Sequence, residues 1–312
     1  MRRPPPELAL LVAVLGISVA APLVRLSDAH PIAIAFWRLA FSLGAVVVAL
    51  LVTGTWRELR ALSRRELAIG GAAGVMLAVH FWSWNASVDL TTIAASTTLV
   101  SLQPAIVAVL SAFLLRERPL PLQIAGIALA LVGAFIISTP ALFSDSAASG
   151  ANPALGNSLA LVGAVTASIY YLAGRRLRTG LGLWPYVAIV YGACFASLAV
   201  MAAISGIDLA PQPAREIWIF IGLAVGPMLL GHTAMNYALR YRPAYVVNLT
   251  VLTEPVGATL IGAVLPGIRE IPPISALIGG FVILAGVVLT VLAERPGKRG
   301  EPRAYTTGEP TG

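Results

Sequence analysis

The sequence has 312 residues, of which 58% are hydrophobic and 11% charged, whereas a soluble domain carries about 25% charged residues. With a mean hydropathy of +0.85, it has more apolar surface than a water-soluble globule of this length could bury, so ordinary soluble enzymes are excluded. Disordered chains, collagen and coiled coils are excluded as well. A polytopic helical membrane protein remains, because about ten spans of roughly 20 apolar residues would use two-thirds of the chain.

The charged residues indicate membrane topology. Lys and Arg number 21 against 14 Asp and Glu, a balance that in a soluble protein would suggest nucleic acid as a partner. Here 17 of the 21 cations fall in one alternate set of loops, the opposite set holds three, and Arg38 lies inside a span. By the positive-inside rule, we predict a multi-pass protein of the plasma membrane with both termini in the cytoplasm and no nucleic-acid partner.

Ten apolar runs follow one another along the chain. In the first half, the predicted spans cover residues 8–24, 31–52, 67–86, 92–115 and 121–138. In the second half, they cover residues 155–173, 183–204, 217–239, 244–265 and 274–293. The sequence therefore predicts a first repeat over residues 1–139, an external linker over 140–154, a second repeat over 155–293, and a disordered cytoplasmic tail over 294–312 that is rich in Pro, Gly and charge.

An internal repeat relates the two halves. At an offset of 151 residues, the matched pairs are Asn85 with Asn236, Gln103 with Glu254 and Pro104 with Pro255. Other blocks match at offsets of 150 and 153 residues. Because each half has five spans, an odd number, the second half enters the membrane from the opposite side. The predicted fold class is an all-α membrane protein of ten helices built from two inverted five-helix repeats, an architecture found in many secondary transporters.

Three segments resemble the EamA-type permeases of the drug/metabolite transporter superfamily. They are FWRLAFS around Arg38, LQP to LLRE from Gln103 to Glu117, and LTEP from Leu252 to Pro255. The resemblance covers residues 8–293 and departs at LPGIRE, residues 265–270, where two extra residues separate the Pro from the Glu. It implies ten spans, cytoplasmic termini and the movement of small metabolites, without specifying which metabolite.

Glu254 is the sharpest candidate for a functional residue within a span. A carboxylate near mid-span costs about 3 kcal/mol, so it should face the bundle interior and have a partner or a task. Since burial favours the neutral form of a carboxylate, Glu254 is a candidate for proton coupling, and a structural hydrogen bond is the alternative. Pro104 and Pro255 lack a backbone N–H, so we predict helix kinks that free the carbonyls of Val100 and Val251 toward a cavity.

Polar and aromatic residues lie together late in spans 3 and 8. Asn85 and Asn236 each follow, by four residues, a ring at a matched position, Phe81 and His232, and so share a helix face with it. Together they suggest a substrate pocket with aromatic walls and a few polar groups. The predicted pocket residues are Arg38, His80, Trp84, Asn85, Gln103, His232 and Asn236. Interhelical hydrogen bonds for the asparagines and an interfacial aromatic belt for the tryptophans are the alternatives.

Arg38 lies about one-third of the way into span 2. An intramembrane arginine faces the protein interior or extends to the interface. It could bind a substrate carboxylate, pair with Glu254 or Asp28, or reach the outer interface. Weaker pocket candidates are Tyr170, Tyr171 and Tyr237.

Other chemistry has no motif in the sequence. There is no Gly-rich Lys loop for ATP, no Cys/His cluster for a metal and no hydrolase motif, so we expect no catalytic residue, metal or cofactor. The leading hypothesis is a secondary transporter that moves a small-molecule substrate across the lipid bilayer, as an exporter, by alternating access. An integral membrane enzyme acting on a lipid-linked substrate is the alternative. The substrate, the energy source and the oligomeric state are left open.

Overall fold

The computed structural model describes residues 4–91, 93–143, 151–210, 212–265 and 274–293, all of them helical or in short connections. The predicted tail over 294–312 lies outside the described residues, as do residues 144–150 of the predicted linker and most of the departing LPGIRE segment. The helices of the first half are α1 (Pro6–Ser18), α2 (Ala20–Leu26), α3 (Pro31–Thr53), α4 (Arg64–Leu90), α5 (Ile93–Val100), α6 (Gln103–Leu114) and α7 (Pro121–Phe143).

The second half is helical in the same way, although its interruptions fall partly at other places. Its helices are α8 (Pro153–Arg178), α9 (Leu183–Ser205), α10 (Ala214–Leu223), α11 (Ala234–Ala238), α12 (Ala244–Asn248), α13 (Glu254–Val264) and α14 (Ile274–Leu292). A π-helical segment, Ala224–Thr233, joins α10 to α11, and a 3₁₀ segment, Leu249–Thr253, joins α12 to α13. Because α7 continues to Phe143 and α8 begins at Pro153, the connection between the halves is shorter than the predicted linker.

Eight stretches of the described chain are long and apolar enough to cross a membrane. They are Pro6–Leu26, Pro31–Thr53, Arg64–Leu90, Ala95–Leu114, Pro153–Arg178, Leu183–Ser205, Ala214–Ala238 and Ala244–Val264. At predicted spans 5 and 10 the apolar stretches are shorter, Pro121–Ile136 and Leu277–Leu292. The all-helical membrane class is thus confirmed, and eight of the ten predicted spans meet the length and hydropathy that crossing requires.

Local sequence signals explain where the helices begin and end. Pro31 occupies the first turn of α3, where its missing N–H costs nothing, and the helix ends at Gly54, whose φ of 69° is left-handed. At the start of α4, the Ser63 hydroxyl accepts the Glu66 N–H while the Glu66 carboxylate accepts the Ser63 N–H. This reciprocal capping box satisfies two amide groups that the first turn would otherwise leave unpaired.

The helices that end the two halves cross at their own matched glycines. Gly126 of α7 lies against Gly286 of α14, where an added Cβ would be 2.7 Å from the Gly286 carbonyl oxygen. Gly133 lies in the same way against Gly279, with a Cβ 2.6 Å from its carbonyl oxygen. The close approach is possible only because these positions have no side chain. As residue numbers rise along α7 they fall along α14, so the two helices pack antiparallel.

Both prolines for which kinks were predicted stand directly after a full interruption of the helix. In the first half, a turn at Ser101 and Leu102 separates α5 from α6, and Pro104 lies in the first turn of α6. In the second half, the 3₁₀ segment separates α12 from α13, and Pro255 takes the matching place. A proline cannot donate the bond that would continue the preceding helix but is well suited to a first turn.

Span 8 is predicted as a single span over residues 217–239, whereas the structure divides it into an α-helix, a π-helical segment and a second α-helix. The chain passes from α10 into the wider π-helical segment, which contains Pro227, before returning to α-helix. Proline removes one backbone donor from the ladder, and the change of hydrogen-bond period accommodates that loss within the span. Segments of π-helix occur frequently at functional sites.

Candidate functional site

A cavity lies where the two interrupted helices meet α1, α3, α4, α8 and the π-helical segment. Six predicted site residues line it: Arg38, His80, Trp84, Gln103, His232 and Glu254. Val100 and Val251, the residues whose carbonyls were predicted to be freed by the prolines, line it as well. Its inner space is about 30 Å³, which is room for about two water molecules. The cavity in the described conformation is therefore too small for a solute of amino-acid size.

Arg38 contributes a buried positive charge to the cavity. Its side chain is 1% exposed, and the guanidinium carbon lies 3.6 Å from the ring centroid of Phe81. A desolvated cation–π contact of this kind contributes about 2 kcal/mol, which offsets part of the cost of burial. The alternative that Arg38 reaches the outer interface is therefore wrong. The alternative that it pairs with Asp28 is wrong as well, because Asp28 forms an ion pair with Arg215 at 2.5 Å.

Glu254 contributes the opposite charge. It begins α13 and is 8% exposed. Among the described residues, no basic nitrogen lies within 4.0 Å of the Glu254 carboxylate, which is the limit for an ion pair. The expected ion pair with Arg38 is therefore not formed, although the two charges interact across the cavity. The carbonyl of Val251 accepts the backbone N–H of Glu254, which corrects the prediction that Pro255 leaves this carbonyl free.

Gln103 occupies the matching place in the first half, at the start of α6. It is 3% exposed, and its side-chain oxygen has no hydrogen-bond partner in the part of the chain that the structure describes. The indole nitrogen of Trp84 also has no hydrogen-bond partner among the described residues. The Trp84 side chain is only 4% exposed, so it does not lie at the surface where an aromatic belt would form. Both groups are buried polar atoms at the cavity wall, where a bound solute could satisfy them.

The two histidines and Phe81 form one cluster of rings, in which His80 lies 5.2 Å from Phe81 between ring centroids. His232 packs edge-on to Phe81 with ring centroids 5.3 Å apart, and His80 lies 6.3 Å from His232. The Nδ1 of His80 is 2.9 Å from the carbonyl of Gly163. Because a carbonyl only accepts, Nδ1 carries the proton and the neutral ring keeps Nε2 as an acceptor. The Nδ1 of His232 shares a hydrogen bond of 3.1 Å with the hydroxyl of Tyr171.

Asn85 and Asn236 lie outside the cavity, unlike the other predicted site residues. The Asn85 amide donates to the carbonyl of Pro31 at 3.1 Å, and the Asn236 amide donates to the hydroxyl of Tyr170 at 2.6 Å. Both side chains are fully buried. These are the interhelical hydrogen bonds that were the alternative to a pocket role.

Sequence reasoning missed or undervalued several cavity residues. Tyr171, a weaker candidate, lines the cavity, whereas Tyr237 lies at the surface and its hydroxyl donates to the carbonyl of Pro4 at 2.7 Å. Pro227, Ile17 and Ala20 also line the cavity and were not predicted. A proline in the middle of an apolar span was the available signal for Pro227, as it was for the other two; Ile17 and Ala20 carry no comparable signal.

Polar contacts close the bundle at one end of the cavity. Arg175 donates to the carboxylate of Glu117 at 2.6 Å and to the carbonyl of Leu239 at 2.6 Å. The second oxygen of Glu117 accepts the backbone N–H of Ala244 at 3.2 Å. This cluster, here called the Glu117 cluster, joins α8, α11 and α12 to the loop after α6.

A different cluster lies at the other end. The carboxylate of Glu216, at the start of α10, accepts the hydroxyl of Ser27 and the backbone N–H of Asp28, the latter at 3.2 Å. Arg215 adds its ion pair with Asp28. This Glu216 cluster joins α10 to the loop between α2 and α3.

Comparison with known proteins identifies the chain. The EamA-like transporter family matches residues 5–139 and again residues 154–292. The protein belongs to the EamA-like transporter family. The chain is similar to a curated protein of Streptantibioticus cattleyicolor named as a probable terminal-alkyne amino-acid exporter, with 28% identity over 289 residues, which is 90% of this chain and 91% of the relative.

A crystal structure of another protein resembles this EamA transporter with a TM-score of 0.74 and 20% identity, over 93% of this chain and 98% of that one. At that identity the likeness shows the fold alone. The family match makes the chain a multi-pass membrane transporter of a small molecule, as the sequence predicted. Within the described residues, no three His, Cys, Asp or Glu side chains cluster as metal ligands.

Proposed function

We propose that this EamA transporter exports an amino-acid-like zwitterion from the cytoplasm by alternating access. The observation that carries the proposal is the presence of Arg38 and Glu254 in one buried cavity without an ion pair between them. Two opposite buried charges that do not neutralise each other are costly, and an amino acid would supply both missing partners. The relative named as an amino-acid exporter agrees with this chemistry and with the direction.

In this proposal, Arg38 binds the substrate carboxylate. A guanidinium matches a carboxylate with two parallel hydrogen bonds, and the unpartnered Nε of Arg38 is one available donor. Glu254 binds either the substrate ammonium or a proton. The walls beside them are apolar, formed by Phe81, Val100 and Val251, and would suit a hydrophobic side chain of the substrate.

We propose ten membrane spans in two inverted repeats, with both termini in the cytoplasm. The antiparallel crossing of α7 and α14 at matched glycines supports this arrangement, because a local twofold axis perpendicular to both helices would generate it. The split of cations between alternate loops supports the orientation. Reporter fusions after Arg178 and Arg303 should read cytoplasmic, and a fusion at Ser146 should read external. A cytoplasmic reading at Ser146 would reject the inverted arrangement.

Alternating access requires the cavity to open, since about 30 Å³ cannot hold an amino acid. The interruptions before Pro104 and Pro255 supply bending points next to the cavity. The Glu117 and Glu216 clusters are placed to open in turn, one toward the cytoplasm and the other toward the outside. A membrane enzyme is less well supported, because the polar residues that line the cavity lie within the spans and not at one membrane face.

The test of substrate class compares three ligands on the purified transporter. An amino acid with a terminal-alkyne side chain should raise the melting temperature, and its methyl ester and N-acetyl derivative should each bind at least tenfold more weakly. Arg38→Gln should abolish the preference for the free carboxylate over the ester. Arg64→Gln, which removes an exposed charge at the start of α4, is the matched control. Equal binding of all three ligands by the unmodified protein would reject the zwitterion proposal.

A further inference from the structure

A second recess lies on the outside of the bundle, away from the central cavity. It has a volume of about 390 Å³ and is bounded by the C-terminal part of α6, the N-terminal part of α7 and Pro119 of the loop between them. Every lining residue is apolar, and its floor is formed largely by small residues, Ala105, Ala108, Ala112 and Ala128. Large exposed side chains form its rim, including Phe113, which is 79% exposed.

The pattern of residues explains why a recess forms there. Ala105, Ala108 and Ala112 repeat at intervals of three and four residues and so lie on one face of α6. Ile124, Ala128 and Leu131 do the same on α7 and face the recess from the other side. Alanines on the facing surfaces leave a space that larger side chains would have filled. At the level of a membrane span, a wholly apolar recess of this volume fits a hydrocarbon chain.

The loop at the mouth of the recess carries two exposed cations. Arg116 and Arg118 are both exposed, and neither forms a hydrogen bond or ion pair with a residue that the structure describes. Glu117, the acid between them, is turned into the bundle by Arg175 and Ala244. The loop therefore offers positive charge to the membrane surface without an adjacent acid to neutralise it, beside Pro119 of the recess wall.

We propose that this recess binds an anionic phospholipid, with one acyl chain between α6 and α7 and the phosphate group on Arg116 and Arg118. The complementary charge selects the headgroup, and the apolar recess selects the chain. The proposed topology puts this loop at the cytoplasmic leaflet, where anionic lipids attract basic segments. Because α6 also carries Gln103 at the central cavity, a bound lipid would hold one of the moving helices.

The experiment measures lipid binding directly and does not depend on transport. Full-length protein in detergent is titrated with phosphatidylglycerol or with phosphatidylcholine of the same chains, and bound lipid is counted by native mass spectrometry. We expect phosphatidylglycerol to bind at least tenfold more tightly. The double variant Arg116→Gln/Arg118→Gln should lose this preference, and Ala108→Leu, which fills the recess, should weaken both lipids.

The matched control is Arg64→Gln/Arg65→Gln, which removes two exposed cations at the start of α4, at another predicted cytoplasmic end of a span. It should keep the preference. Equal loss in this control would reduce the effect to general surface charge and overturn the proposal, as would equal binding of the two lipids by the unmodified protein. A dimer that Ala108→Leu dissociates, with no lipid bound, would instead assign the recess to a second copy of the chain. Phe113→Ala, which opens the rim, serves as the recess variant if Ala108→Leu fails to fold.

Discussion

The two halves interrupt matched helices with the same backbone device but with different chemistry. In the first half, two turn residues precede α6, and the neutral Gln103 enters the cavity. In the second half, a five-residue 3₁₀ segment precedes α13, and the ionisable Glu254 enters the cavity. In the proposed transport cycle, the matched interruptions would let either half bend. The side chains do not match, because the only carboxylate that lines the cavity, within the described chain, belongs to the second half.

Neutralising Glu254 should have the largest effect, because it removes this difference between the halves. Glu254→Gln keeps the shape of the protonated acid. In liposomes, the variant should still exchange substrate but lose at least nine-tenths of the accumulation driven by an imposed pH gradient. The measurement is uptake with and without the gradient, normalised to reconstituted protein.

Two outcomes would change the assignment of Glu254. If accumulation driven by pH is unaltered, Glu254 is not the proton carrier. If exchange and the pH response are both lost, Glu254 binds the substrate ammonium. The double variant Glu254→Gln/Gln103→Glu moves the carboxylate to the matched place and should regain part of the pH response, because only the half that carries it has changed.

The halves also differ in the helices that carry the two histidines. His80 lies on the continuous helix α4, and His232 lies in the π-helical segment that contains Pro227. Pro227→Ala restores a backbone donor and favours an ordinary α-helix, which would turn His232 away from Tyr171. We expect transport to fall severalfold with a small change in melting temperature. Pro31→Ala, at the start of α3 and outside the cavity, is the control and should transport normally.

Much of this fold could be predicted, because membrane spans and repeats leave strong traces in a sequence. Length, hydropathy and loop charge locate spans without knowledge of packing. The π-helical hydrogen bonding within span 8 could not be predicted in this way. It depends on how the segment around Pro227 packs against α1, which Gly226 and Gly231 contact. No pattern in the sequence of span 8 alone specifies that contact.

The site was predicted in part for a related reason. A charged side chain within a membrane span has a high free-energy cost, so the presence of Arg38 and Glu254 in spans was enough to indicate an interior location. Asn85 is as polar as a pocket residue and shares a helix face with Phe81, which lines the cavity. Only the structure shows that the Asn85 amide already donates a hydrogen bond to the carbonyl of Pro31. Partner identity across helices cannot be read from periodicity.

Asn85 and Trp84 should therefore separate stability from transport, with smaller effects than those above. Asn85→Ala removes a buried interhelical hydrogen bond and should lower the free energy of unfolding by about 1 kcal/mol, with transport per folded molecule unchanged. Trp84→Phe keeps a ring but removes the indole N–H at the cavity, so it should lower transport and leave stability nearly intact. Thermal unfolding and normalised transport measure the two quantities. The reverse pattern would put Asn85 in contact with substrate.

The smallest expected effect is a difference in melting temperature between variants of the ion pairs at the two ends of the cavity. The ion pair of Arg175 with Glu117 is 18% and 19% exposed, whereas that of Arg215 with Asp28 is 56% and 86% exposed. Exposed pairs contribute about 0–1 kcal/mol because water screens both charges. Asp28→Asn should therefore leave the melting temperature unchanged within error, since Glu216 still accepts the backbone N–H at residue 28. Glu117→Gln should lower the melting temperature, because Arg175 loses its charged partner in a half-buried place. Raising the ionic strength should change the Glu117 effect little, because salt screens partly buried pairs less than exposed ones. If Asp28→Asn is the more damaging variant, the exposed pair and not Glu216 holds its end of the bundle closed.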